Sequence, residues 1–442
     1  MKALTMILAS SLSLAICVAD AEPMLSVSGP LLRSREGWSF VPSKPNADGA
    51  TFNEFEGFYP DKGGKLQSPR IPLVGKAEGK GAYYRISFTA KALTRGYVCV
   101  NFYDADGKAL ADNYDVLYKT EGTGNGERVD GNVKVWKQPT ANSQCENGGN
   151  GEQGTGRHYD RVFYAMGQTT SIDVFFQSKD GYEVRDLRIE PATWADAADY
   201  CDRVFAALPP FSFAAPADAT ALLPRTMEAL RTGKPWRVVM LGDSIVQDAF
   251  HSQFHSLVKR AFPASDAEWI VSVRGSTGCQ TYAMADEFFP CVVDKRPDLL
   301  LIGGISNYVK KDGPDGAAAI MAVARAAHDR LGCEVLVTSA ALHRDLRTRD
   351  PANPDAPIPP AAWNSALAES SGGGARLEEL RDLCAKNGFP FWDLTTPCYE
   401  WLFASGLPFE FYSRDAVHSG ELGKQIIARA LFAHFASEPS SR

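Results

Sequence analysis

No Cys-x-x-Cys pair occurs in the 442 residues, which removes the ligand spacing of a zinc cluster and the dithiol of a redox motif. Past the first 21 residues no stretch reaches the roughly 18 consecutive apolar residues that a spanning helix needs, so no membrane span is expected. Positive charge is scarce as well. Lys and Arg number 46 against 53 Asp and Glu, a formal net charge of -7 at pH 7, and this leaves no electrostatic footprint for nucleic acid. No internal repeat is found. What remains is a globular composition, 45% hydrophobic and 22% charged, with 38 glycines and 27 prolines that predict many loops.

At the amino end Lys2 precedes an apolar run from Ala3 to Ile16, and Ala19-Asp20-Ala21 supplies a small-x-small site. This pattern predicts a secretory signal peptide over residues 1–21, cleaved near Ala21, and hence an exported, periplasmic or extracellular protein. Cys17 hints at a lipoprotein box, but bulky Ile16 before it makes that the weaker reading. Eight cysteines follow the leader: Cys99, Cys145, Cys201, Cys279, Cys291, Cys333, Cys384 and Cys398. An even number in an exported chain favours disulfides, and eight allow 105 pairings. Sequence proximity alone suggests Cys279 with Cys291 and Cys384 with Cys398.

Residues 22–192 alternate apolar and polar side chains with period two, most clearly at Tyr84-Arg85-Ile86-Ser87-Phe88-Thr89 and Tyr97-Val98-Cys99-Val100-Asn101-Phe102. Further strands are predicted at Arg161 to Met166, Ser171 to Gln177 and Tyr182 to Glu190. Short strands between turns predict an all-β sandwich, in architecture similar to a jelly-roll carbohydrate-binding module. The Gly/Asn-rich stretch 120–156 reads as a binding loop, a calcium-holding loop or an inert insertion. Residues 193–234 read as a helical linker, with helices at Trp194 to Leu208 and Thr220 to Arg231. Residues 235–442 then alternate strand and helix, which predicts a parallel sheet with its site at the strands' carboxyl ends. One helix is expected from Ala249 to Phe262.

In that last region Val238-Val239-Met240-Leu241 runs into Gly242-Asp243-Ser244-Ile245, which reads as strand, sharp turn, helix. A serine there is presented at the end of a strand with its N–H at a helix start, the logic of a nucleophile elbow without the Gly-x-Ser-x-Gly form. Near the carboxyl end, Arg414-Asp415-Ala416-Val417-His418-Ser419-Gly420 precedes an apolar-periodic helix. Asp415 and His418 are spaced so that the carboxylate can fold back on one imidazole nitrogen while the other faces outward, fixing the tautomer of a base.

The Gly-Asp-Ser stretch early in an α/β region and the Asp-x-x-His near its end resemble the SGNH (GDSL-type) hydrolase family over roughly residues 235–437. The resemblance implies a flavodoxin-like three-layer α/β/α domain and a mostly esterase chemistry, with Ser244 as nucleophile, His418 as general base and acid, and Asp415 as its orienter. Two glycine-bearing segments follow later strands, where a serine hydrolase places oxyanion donors. In Arg274-Gly275-Ser276-Thr277-Gly278-Cys279 the resemblance points to Gly278, with Gly275 second. In Gly303-Gly304-Ile305-Ser306-Asn307-Tyr308 it points to Asn307, although the family usually has Gly-x-Asn-Asp and this chain either inserts a residue or places Ser306 in the expected slot. Ser244, Gly278 and Asn307 would then make the oxyanion hole.

His343, Tyr308 and Tyr282 are candidates for substrate contact. His251 and His255 lie four apart, a spacing that could serve zinc or merely the packing of an amphipathic helix; no third ligand stands nearby. No metal or organic cofactor is required. The sequence therefore leads to an exported serine esterase removing O-acetyl or other short acyl groups from a polysaccharide or oligosaccharide. Transfer of the acyl group to a sugar, cleavage of a glycosidic bond by two carboxylates and glycan binding without turnover stay open beside it.

Overall fold

The computed structural model describes residues 22–31, 35–42, 64–92, 96–110, 115–120, 157–178, 182–210, 212–242, 244–273, 292–303, 316–340, 373–405, 412 and 419–437. An all-β unit is followed by an α/β unit with a parallel sheet and flanking helices.

The β unit contains β1 (Leu25–Pro30), β2 (Ser39–Pro42), β3 (Gly64–Gln67), β4 (Ile71–Pro72), β5 (Ala82–Ala92), β6 (Gly96–Tyr103), β7 (Asp115–Thr120), β8 (Arg157–Ala165), β9 (Ser171–Ser178) and β10 (Tyr182–Ala192). One antiparallel sheet runs β1-β10-β5-β8 and the other β2-β3-β9-β6-β7, with β4 beside β9. Period two decides what meets between them. Tyr84, Ile86 and Phe88 of β5 point inward, as do Val98, Val100 and Phe102 of β6 and Ile172, Val174 and Phe176 of β9. The aromatic rings interlock edge to face, Phe88 on Phe176 at 5.6 Å and Phe102 on Phe163 at 6.1 Å, the arrangement that the ring quadrupoles favour.

Between the units, β10 passes directly into α1 (Trp194–Ala206), started by a capping box: Asp196 N–H donates to Thr193 Oγ1 at 3.1 Å and Thr193 N–H to Asp196 Oδ2 at 2.8 Å. The α/β unit continues with α2 (Pro224–Thr232), β11 (Pro235–Gly242), α3 (Ser244–Phe250), α4 (Phe254–Ala261), β12 (Asp266–Val273), β13 (Leu299–Gly303), α5 (Gly316–Leu331), β14 (Glu334–Thr338), α6 (Gly373–Asn387), β15 (Phe391–Trp392), α7 (Thr395–Ser405) and α8 (Glu421–Phe435). Its strands are all parallel in the order β12-β11-β13-β14-β15, the doubly wound flavodoxin-like order. β13 and β14 are buried at every residue, as strands covered on both faces must be. Around the sheet, α1 packs against α4 and α8, and α5 against α6. Among the described residues no helix is long and apolar enough to cross a membrane.

Two expectations are corrected. Cys384 on α6 and Cys398 on α7 are separate buried thiols, and burial pushes Cys384 up to about 12 and Cys398 further. Nearness in sequence did not bring their Cβ atoms to the roughly 3.5–4.5 Å a disulfide needs, because each belongs to a different helix facing the core. Cys279 and Cys291 lie outside the described residues. The single helix expected from Ala249 to Phe262 is instead α3 and α4, separated by a turn at 251–253 in which Gln253 takes a left-handed φ of 66°.

That break has a physical use. A continuous helix would occupy its own carbonyls, whereas here the His251 carbonyl accepts from Arg161 Nη2 at 3.3 Å and the Ser252 carbonyl from Gln425 Nε2 at 3.1 Å. Arg161 belongs to β8 and Gln425 to α8, so the turn ties the β unit to the helical layer. The two histidines consequently do not share a helix face. The His251 ring lies parallel to Phe102 at 6.4 Å, and His255 sits among Tyr83, Tyr164 and Trp269 with its Nδ1 2.6 Å from the Tyr83 hydroxyl. Packing, rather than metal spacing, explains them. Val162, Tyr164 and Met166 of the β unit join the core of the α/β unit, while Phe163 and Ala165 between them face the separate core of the sandwich, so β8 serves both.

Burial, with the neighbouring His251 second, pushes His255 down to about 3, and burial also lowers His434. The folded protein therefore holds His255 neutral while the unfolded chain protonates it below about 6.5. Its contribution is complete above that pH and is lost as pH falls toward 3, at a limiting rate of about 1.4 kcal/mol per unit. We expect Tm to fall steadily between pH 6 and pH 4 in thermal unfolding. A Tyr83→Phe/His255→Leu variant should show a shallower slope, with the His434 share remaining; an unchanged slope would refute this origin.

Candidate functional site

The site begins where β11 ends. Gly242 is in register with Val273 of β12 on one side and Gly303 of β13 on the other. A Cβ at residue 242 would overlap the Gly303 carbonyl and the Val246 side chain, and one at residue 303 would overlap the Thr338 hydroxyl. Glycine is therefore a steric requirement at both strand ends, which lets the chain turn into α3 within two residues.

The strand order makes this spot the topological switch point. From β11 the chain proceeds through α3 and α4 to β12 on one side, and from β12 it crosses to β13 on the other. In open α/β sheets ligands occupy the crevice outside the carboxyl ends at that position. Ser244 opens α3 there. The side chain of Ser244 lies outside the described residues, as do Gly278, Tyr282, Asn307, Tyr308, His343, Asp415 and His418. In sequence, Gly278 is five residues beyond Val273, Asn307 four beyond Gly303 and His343 five beyond Thr338. Those three strand ends and Gly242 belong to the same carboxyl edge.

The second half of the candidate site is approached through Tyr412 and the start of α8. Tyr412 is buried, its ring 4.8 Å from Trp401 and its hydroxyl 3.0 Å from Ser405 Oγ. Gly420 N–H donates to the Tyr412 carbonyl at 2.7 Å. A Cβ at Gly423 would overlap that same carbonyl, so the first turn of α8 packs hard against residue 412. Residues 412 and 420, which flank Asp415 and His418 in sequence, are thus held against each other.

That point is bonded to α3. Ser419, the residue after His418, donates its backbone N–H to Asp248 Oδ2 at 2.8 Å. Lys424 Nζ, from the first turn of α8, lies 3.8 Å from Asp248 Oδ1. Residues 244 and 248 are four apart on α3, hence stacked on one face about one turn, some 5–6 Å, from each other. Sequence reading overlooked Asp248 and Lys424. The available signal was a charged residue at a buried position of each helix, since Leu422, Ile426 and Ile427 around Lys424 are all core residues.

Other polar groups near the strand ends have structural partners. Asp393 follows β15 and caps α7, accepting Thr396 N–H at 3.0 Å, and pairs with Arg381 at 3.0 Å. Glu334, at the start of β14, receives Arg225 N–H at 2.9 Å and Thr226 N–H at 2.8 Å and so caps α2. Among the described residues no group of three His, Cys, Asp or Glu side chains is placed to hold a metal ion.

No family model matches the chain, and no curated protein matches it. Among solved structures it is similar to a two-domain esterase active on acetylated mannans, with 15% identity and a TM-score of 0.38 over 50% of this chain and 54% of that one. The chain thus spans about half the length of that protein. A lipase/acylhydrolase from Enterococcus faecalis aligns at 14% identity and a TM-score of 0.32, covering 45% of this chain and 93% of that one. A xylan-binding domain of CBM 22 aligns at 10% identity and a TM-score of 0.20, covering 39% and 97%. At such scores the overlap is partial and carries no weight on chemistry.

Proposed function

We propose that this chain is an exported serine esterase that removes O-acetyl or other short acyl groups from a carbohydrate. The observation that supports it best is the bond from Ser419 N–H to Asp248 Oδ2. It joins the residue next to His418 to the helix that Ser244 opens, at the switch point of the sheet.

In this reading Ser244 Oγ attacks the ester carbonyl while His418 takes its proton, and Asp415 holds the imidazole in the required tautomer. The oxyanion is met by the N–H groups of Ser244 and Gly278 and the Asn307 amide. His418 then protonates the departing sugar hydroxyl, and water, activated by the same histidine, releases the acid and frees Ser244. His343, Tyr308 and Tyr282 contact the sugar. A carbohydrate substrate is favoured by the β-sandwich, which contacts the α/β unit at β12 through Val271 N–H and Met166 Sδ, 3.3 Å apart; β12 is the strand that precedes Gly278 in sequence.

The test is acetate release from acetylated xylan, acetylated pectin and a small aryl acetate. Turnover of the aryl ester together with at least one polymer is the expected result. Turnover of none of them would remove the esterase reading.

A further inference from the structure

We propose that Asp248 is a positioning residue of the reaction, holding the base-bearing loop against the helix that starts with the nucleophile; this rests on the esterase reading above. Asp248 and Lys424 are 1% and 2% exposed, so the carboxylate and the ammonium are both held in the interior. A buried ion pair is commonly neutral or inferior in stability to apolar residues of similar volume. What an apolar residue cannot do at 248 is accept the Ser419 N–H.

The geometry suits that task. The acceptor is on α3, one turn after Ser244, and the donor is a backbone group, so the tether fixes the main chain at residue 419 whatever its side chain does. Gly420 N–H on the Tyr412 carbonyl closes the base of the loop, and Lys424, whose own N–H donates to the Gly420 carbonyl at 2.9 Å, brings its ammonium to Asp248 from the first turn of α8. The ammonium balances the carboxylate's charge, while the carboxylate sets the register of the loop base on α3. A misplacement of about 1 Å in a catalytic group can cost on the order of 10²-fold in rate.

Two double variants of the full chain separate this role from simple stability. Asp248→Leu/Lys424→Met removes both charges and the acceptor; Asp248→Asn/Lys424→Met removes the charges and keeps an oxygen for Ser419 N–H. Both are expected to unfold cooperatively at a Tm near that of the parent. With an aryl acetate, the leucine variant should lose about 10²-fold in kcat, with KM changed less than about threefold, and the asparagine variant should recover most of that loss. Hydrogen exchange of residues 413–420 should accelerate in the leucine variant and stay close to the parent in the asparagine variant. Equal kcat values in the two variants, or equal exchange, would overturn the proposal. If the parent turns over no ester, the exchange comparison still decides whether the tether exists, and the esterase reading fails separately from it.

Discussion

Ser244→Ala should lower kcat/KM on an aryl acetate by about 10³-fold or more while leaving Tm within a few degrees of the parent. A serine that forms the acyl intermediate has no substitute, and removal of one triad member leaves only the residual acceleration that the oxyanion donors and binding supply. A 10³-fold loss corresponds to about 4 kcal/mol of transition-state stabilisation. The fold should tolerate the change. Residue 244 is the first of α3, alanine is the best helix former, and the burial that anchors this helix belongs to Ile245, Val246, Ala249 and Phe250. Steady-state kinetics and thermal unfolding on the same preparation check both halves. A variant that keeps its rate would show that the serine is only a turn residue.

The second large effect concerns the β unit. Removing residues 22–192 should leave an α/β fragment that is insoluble or lacks a cooperative transition, because the deleted part supplies buried contacts rather than a tethered accessory. Tyr164 meets Phe250 at 5.9 Å and His255 at 4.7 Å, and Val162 and Met166 lie in the same core. Arg161 supplies a donor to the His251 carbonyl and Tyr83 a partner to His255. Losing one such aromatic from a core costs about 3–5 kcal/mol, against a total stability of about 5–15 kcal/mol for an ordinary domain. Tyr164→Ala in the full chain is the milder probe and should lower Tm measurably. A soluble fragment with the parent's Tm would mean that the two units are independent.

How much of this was legible beforehand follows from which physical signals are local. The period-two pattern of Tyr84, Ile86 and Phe88 marks a half-buried strand without reference to the rest of the chain, and the apolar runs Leu299 to Ile302 of β13 and Val335 to Val337 of β14 mark buried parallel strands. The class of both units could therefore be read. The break at 251–253 could not, because His251 and His255 fit the i, i+4 spacing of a helical stripe, and the reason for the turn is a pair of donors, Arg161 and Gln425, that lie 90 and 173 residues from their acceptors in sequence. Pairing Cys384 with Cys398 failed for the related reason that chain distance is not spatial orientation. At the site, the Gly-Asp-Ser and Asp-x-x-His stretches were visible as motifs. Asp248 was not, since its partner is a backbone N–H that no residue type announces.

The central claim is a reactive serine at residue 244, and covalent labelling tests it most directly. The full chain is treated with an excess of a fluorophosphonate and its intact mass and peptides are measured, beside Ser244→Ala and His418→Ala. The account predicts one adduct per chain on the peptide containing Ser244, none in the alanine variant at 244 and greatly slowed labelling in the variant at 418. An unlabelled parent, or an adduct on another residue that persists in Ser244→Ala, would contradict it.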